Sequence, residues 1–192
     1  MKNTLIIATL LFVFLTASNA KAIGTYKLEF DSLSCLQIEG KISNVEEGNG
    51  ECLVELISDN DVVQSIVLKE GKHKFKFILN KNLFYAIRIS KKGFISKLVS
   101  VNTEILTANE GVHMFKFETS LINEALAEKL NQEVIDFPVT IIHFDYETDS
   151  FTYNMEYTSY IKKELYKSNP SKIQKPKNVY NLDTTDLAFV SK

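Results

Sequence analysis

From Lys72 to Val101 the chain reads as three runs of alternating apolar and polar residues joined by two short turns, the pattern of a β-meander. Phe75, Phe77 and Leu79 alternate with Lys74, Lys76 and Ile78. Tyr85, Ile87 and Ile89 alternate with Ala86, Arg88 and Ser90, so each strand has one face for a core and one for water. The same rhythm predicts strands over 26–30, 36–43, 52–57, 62–68, 72–79, 84–90, 95–101 and 112–118. Between them stand turn-forming segments: Glu47-Gly48-Asn49-Gly50, Ser58-Asp59-Asn60-Asp61, Glu70-Gly71, Asn80-Lys81-Asn82 and Lys92-Gly93. Seven or eight short strands at this spacing predict a mainly β, antiparallel, Ig-like sandwich whose two inner faces bury each other.

Beyond Glu118 the period changes. Leu121, Ile122, Ala125, Leu126, Leu130 and Val134 recur at three- and four-residue spacing after Ser120, a residue suited to a cap, which predicts one amphipathic helix packed on the sandwich. Val139–Tyr146 and Phe151–Met155 flank Glu147-Thr148-Asp149-Ser150 and predict a C-terminal β-hairpin. Here Phe144, Tyr146, Thr152 and Asn154 fall off the apolar face of their strands. From Tyr166 the chain turns polar, with Pro170 and Pro176, and reads as a flexible tail, in which only Leu187 to Val190 could dock.

The succession Gly40-Lys41-Ile42, a Gly-rich turn, Cys52 to Ser58, then Gly71 with Phe75 and Phe77, and Lys92-Gly93-Phe94 resembles the carboxypeptidase regulatory-domain-like family over about residues 36 to 118. Where that family has Pro-Leu this chain has Cys52-Leu53; its Gly-to-Phe spacing is longer, and Phe94 stands for the usual Tyr. The resemblance implies a transthyretin-like β-sandwich and a non-catalytic accessory role, because family members are appended to enzymes and receptors. Pro138-Val139, Ile142, Tyr146, Phe151, Tyr153 and Tyr157-Thr158 are similar to the C-terminal part of small exported bacterial proteins that carry such a sandwich.

At the N-terminus, Lys2 precedes an apolar run from Leu5 to Leu15, followed by small residues at Ser18 and Ala20. The run is shorter than the roughly 20 residues a spanning helix needs, so residues 1–20 read as a signal peptide cleaved after Ala20. This predicts an exported protein, in the periplasm or at the cell surface, with no membrane anchor after cleavage. The expected organisation is signal peptide 1–20, sandwich 21–118, helix plus hairpin 119–165 and tail 166–192. A net charge of −2 is too balanced for a nucleic-acid binder; the expected partner is an envelope protein or a member of its own complex. Thirteen Phe and eight Tyr without Trp indicate an aromatic core. Cys35 and Cys52 invite a disulfide in an oxidising compartment, worth about 3 kcal/mol in the chain-entropy model. Strand parity opposes it, with Cys35 outward and Cys52 inward.

Nucleophile-elbow, phosphate-loop and zinc-protease signatures are missing from the sequence, so no catalytic residues and no cofactor are expected. His73, His113 and His143 share parity with apolar neighbours; convergence on a metal is the sharp reading and half-buried strand histidines the bland one. His143 and Asp145 suggest a base and its orienter, but no nucleophile stands in register. Asp145, Glu147, Asp149 and Glu156 fall at positions 1, 3, 5 and 12 of a calcium-loop template, with Ser150 where Gly is required; a solvated hairpin tip is the competing explanation. The function expected is a structural or protein-interaction module of the cell envelope. The alternative is a binding module for peptide or glycan, with calcium as its possible ion.

Overall fold

The computed structural model describes residues 32–44, 50–106 and 111–167. The expected signal peptide, the strand at 26–30, most of the first Gly-rich turn and the tail from 168 lie outside the described residues. The fold is mainly β, a sandwich of a three-stranded and a six-stranded sheet.

The strands are β1 (Ser34–Ile42), β2 (Cys52–Ser58), β3 (Asp61–Leu68), β4 (Lys74–Asn80), β5 (Phe84–Lys91), β6 (Phe94–Ile95), β7 (Lys97–Asn102), β8 (His113–Thr119), β9 (Ile122–Asn123), β10 (Ile141–Asp145) and β11 (Ser150–Tyr153). One helix, α1 (Met155–Leu165), ends the described chain. The small sheet has the order β4-β1-β8 and the large one β11-β10-β7-β5-β2-β3, while β6 and β9 make a separate ribbon. Most pairings are antiparallel, as expected, but β1 with β8 and β7 with β10 are parallel.

The alternating positions do what their pattern requires. Val54, Leu56, Phe75, Phe77, Leu79, Tyr85, Ile87 and Ile89 all lie in one buried cluster between the sheets. On the water-facing side of the large sheet, Arg88 Nε donates to Glu55 at 2.8 Å, and on the small sheet Lys41 Nζ donates to Glu118 at 2.8 Å.

Four expectations are corrected. The helix over 121–134 is absent: Leu121 is fully buried in the main core, its backbone clamped by Asn44, whose amide donates to Leu121 O at 3.0 Å and accepts from Leu121 N at 2.8 Å. Only a short 3-10 segment, Glu124–Lys129, follows, capped by Asn123. The apolar spacing that mimicked a helix is shared between two clusters, since Leu130 and Val134 pack with Ile161 and Leu165 of α1. Second, α1 takes Met155, expected as the last residue of the hairpin, and continues over 156–165, for which no element was expected. Its N-cap Asn154 accepts from Tyr157 N at 2.9 Å, Glu156 stands in the first turn, and Lys162 and Lys163 in the last, all favourable to the helix dipole.

Third, Cys35 is buried, not outward. A register shift between Ser34 and Leu36 turns both Cys35 and Leu36 inward. Fourth, Phe144 is buried on the inner face of β10 with Ile142, while His143, on the opposite face, is half-buried.

The hairpin β10–β11 extends the large sheet past β7. Its inner face meets β8 in an aromatic seam: Phe115 on Tyr153 at 4.8 Å, and His113 on Phe144 and Phe151 at 5.1 and 5.7 Å between centroids.

Candidate functional site

The residues that sequence reasoning put forward do not gather into a site. Asp145 ends β10 and is spent on its own turn, where its carboxylate accepts from Glu147 N at 3.0 Å and Thr148 Oγ1 at 2.7 Å. The Thr148 hydroxyl bond, then the Glu147 amide, hold its carboxyl below the ordinary range. Glu147 and Asp149 are exposed in the same turn, Asp149 with φ of 49°. Glu156 lies at the other end of the hairpin, in the first turn of α1, because β11 runs away from the tip. Four strand residues at about 3.3 Å each separate them. Among the described residues no group of three or more His, Cys, Asp or Glu is placed to hold a metal.

The two cysteines are free and buried. Cys35 lies near the start of β1, beside the end of β4 at Asn80, whereas Cys52 begins β2 opposite Lys91 at the far end of β5, so the thiols sit at opposite ends of the sandwich. Cys35 Sγ donates to Leu79 O at 3.6 Å, and burial pushes its pKa from 9.0 to about 11 against the opposing charge of Lys81. Burial raises the Cys52 thiol as well, opposed by Lys91. Both are poor nucleophiles at neutral pH.

A crevice lies between α1 and the β6–β9 ribbon, lined by Ile95, Ile122, Val134, Ile161 and Leu165. Its free volume of about 20 Å³ holds about one water molecule, far below what a small-molecule site needs.

Two surfaces remain. The first is the end of the sandwich that carries the β2–β3, β4–β5 and β10–β11 turns. Phe84 is 67% and Leu106 79% exposed there. Tyr146 is bonded across them, its hydroxyl accepting from Leu106 N at 3.0 Å. Exposed acids ring this end: Asp59, Asp61, Glu104, Glu147 and Asp149.

The second surface is the edge of the large sheet. Edge strands expose unpaired backbone donors and acceptors, and proteins blunt them with lysine, proline, brevity, bulges or cover. Among the described residues, three of the four edges of the two main sheets are blunted: β4 carries Lys74 and Lys76, β8 carries Lys116 and is backed by the aromatic seam, and β11 has four residues. Strand β3 has eight residues, DVVQSIVL, without Lys or Pro, and among the described residues no strand pairs with its outer side. A bulge pairs Val62 with Ile57 and Gln64 with Leu56, leaving Val63 extra. Val62 and Val63 are consequently both open to solvent, at 44% and 48%.

Comparisons with protein-family models, with curated proteins and with solved structures return no match. The edge and the loop end are therefore read from their own chemistry. Sequence reasoning found β3 as a strand but missed it as an edge. The uncharged run from Val62 to Leu68 was the available signal.

Proposed function

We propose that this chain is an exported, non-catalytic β-sandwich that works through protein contacts in the cell envelope, and that β3 is its contact strand. The observation that carries this reading is the uncovered β3 edge, bulged at Val63, with two solvent-exposed valines along its outer side. Export rests on the Lys2, Leu5–Leu15 and Ala20 pattern, and the accessory role on the resemblance to carboxypeptidase regulatory-like domains. The test is a photo-crosslinking residue at Val63 in producing cells, with fractionation and intact mass. Adducts at Val63 but not at Ser90, in an envelope fraction whose protein has lost residues 1–20, support the proposal. Retention of Met1 in the cytoplasmic fraction, or equal labelling at both positions, sinks it.

The loop end favours a second reading, a module for basic peptides. Exposed Phe84, Leu106 and Tyr146 inside an acidic ring suit a cationic, partly apolar segment. Titration with a Lys- and Leu-containing peptide checks it: binding that survives both Phe84→Ala and 0.5 M salt, roughly a Debye length of 4 Å, removes this alternative.

A further inference from the structure

At the loop end, Phe84 is held between two acidic turns. On one side Ser58 Oγ donates to Phe84 O at 3.3 Å, which brings up exposed Asp59 and Asp61 of the β2–β3 turn. On the other side Phe84 pairs with Asn102, whose side chain accepts from Glu104 N at 2.9 Å. The Tyr146 hydroxyl donates to Glu104 O at 3.5 Å and accepts from Leu106 N at 3.0 Å, so Glu147 of the β10–β11 turn joins the same surface. Elsewhere on the sandwich, Glu39, Glu55 and Glu118 each have a lysine or arginine partner. Among the described residues Asp59, Asp61, Glu104 and Glu147 have none, and Lys81 is the one cation of this end. An open apolar middle with a carboxylate rim selects a cationic, partly apolar chain.

The protein carries such a segment itself. Residues 21–31 enter at this end but balance Lys21 and Lys27 with Glu29 and Asp31, and residues 45–49 and 107–110 add only acids. The stretch Lys175–Leu182, KPKNVYNL, has two lysines, no acid, and apolar Val179, Tyr180 and Leu182. Its reach is sufficient. Helix α1 starts at the end of the hairpin opposite the tip, so its last residue lies no more than about 35 Å from that tip even if the helix runs straight away from it. The twelve residues from Lys167 to Val179 extend to about 40 Å. The acids near the root of the tail are balanced: Glu164 pairs with Lys167 at 3.0 Å, and Lys129, Lys162 and Lys163 share that surface with Glu128 and Glu133. We infer that Lys175–Leu182 lies over the loop end of its own chain, with its lysines against the carboxylates and Val179 and Tyr180 against Phe84 and Leu106. This rests on the second reading, the module for basic peptides, and names the chain's own tail as the occupant that a free peptide must displace. A flexible tether holds the segment at a local concentration near millimolar, so even a weak contact competes.

The experiment joins cross-linking to a competition on the full chain. A carbodiimide couples a lysine amine to a carboxylate in contact with it, and mass spectrometry maps the linked peptides. Lys175 and Lys177 are expected to link to Asp59, Asp61, Glu104 or Glu147 at low salt, and the links should fade at high salt. In an equal mixture of 15N-labelled and unlabelled chains, these links should join peptides of one label only. In the competition, a synthetic KPKNVYNL peptide is titrated into the wild-type chain and into Lys175→Glu with Lys177→Glu. The variant should bind it about tenfold more tightly or better, because its own segment no longer occupies the end. Links that run mainly to Glu128 and Glu133, that mix labels, or that ignore salt overturn the inference. Equal peptide binding by the two chains, without links to the loop end, overturns it and leaves the module for basic peptides standing. Links to the loop end with no binding of free peptide by either chain support the tail contact and remove that module. Neither links nor binding overturns both.

Discussion

The ring of Phe75 lies across Gly40, so close that a Cβ at position 40 would sit 2.1 Å from its Cζ atom. The two residues are opposed in the β1–β4 pairing, and Phe117 of β8 closes the other side of the ring at 5.8 Å between centroids. Glycine is needed here for space, because β1 is the middle strand and the aromatic ring occupies the volume a side chain would take. Gly40→Ala is therefore expected to destabilise by about 1–3 kcal/mol, although alanine is ordinarily no worse in a strand. Urea denaturation checks this, and Phe75→Leu in the same chain should recover part of the loss; a Gly40→Ala protein as stable as wild type would refute the packing.

The thiols give a pH signature. Cys35 is raised from 9.0 to about 11 in the folded protein, so the native state holds its proton more tightly than the unfolded chain does. The associated stability is fully present below pH 9 and is lost as pH climbs through about 11. The denaturation midpoint should fall across that window, and fall less in Cys35→Ala. Neither thiol should react with a disulfide reagent at pH 7 until the protein is unfolded, when both should; loss of two mass units in the native protein would reveal a bond instead.

Helix α1 is fastened to the sheet by a buried pair of hydroxyls. Thr140 Oγ1 and Thr158 Oγ1 are 2.7 Å apart, and because Thr158 donates to Asn154 O at 2.7 Å, Thr140 is the donor between them. Thr158→Val leaves the Thr140 hydroxyl and the Asn154 carbonyl without this partner and should cost about 1–3 kcal/mol. The double change Thr140→Val with Thr158→Val should cost less than the sum of the two single changes, and simple additivity would count against the pair.

Calcium and chelator should give the same melting midpoint. Asp145 is engaged with Glu147 N and Thr148, and Glu156 stands at the far end of the hairpin. An upward shift with calcium that Asp149→Asn abolishes would show that the turn rearranges to bind the ion.

Alternation of apolar and polar residues was enough to locate β1 to β5, β7, β8 and the hairpin within two residues of their observed ends. It located them because each strand has one buried and one wet face. It could not show that β8 lies beside β1, since parallel neighbours are not joined by a turn that leaves a mark. The stretch from Leu121 to Val134 misled because its apolar residues serve two clusters, so that three- and four-residue spacing arose without a helix. Helix α1 was marked by Asn154, Glu156 and the Lys162-Lys163 pair, but its Tyr, Thr and Ile content reads equally as strand. The β3 edge needed the sheet order to be seen at all, because an edge is defined by the neighbour it lacks.

The place of β1 between β4 and β8 also sets an order of events in time. Lys41 of β1 finds Glu118 of β8 across 77 positions, so the middle strand of the small sheet waits for almost the whole sandwich to be synthesised before its second neighbour exists. Contacts of such span form slowly, because loop closure precedes the pairing that rewards it. During synthesis the N-terminal half can gather only the meander of local hairpins, and the inner face of β1 stays without a closed core. Under the export proposed above, that delay would keep the polypeptide loose until β8 emerges and make completion of the fold an event of the far side.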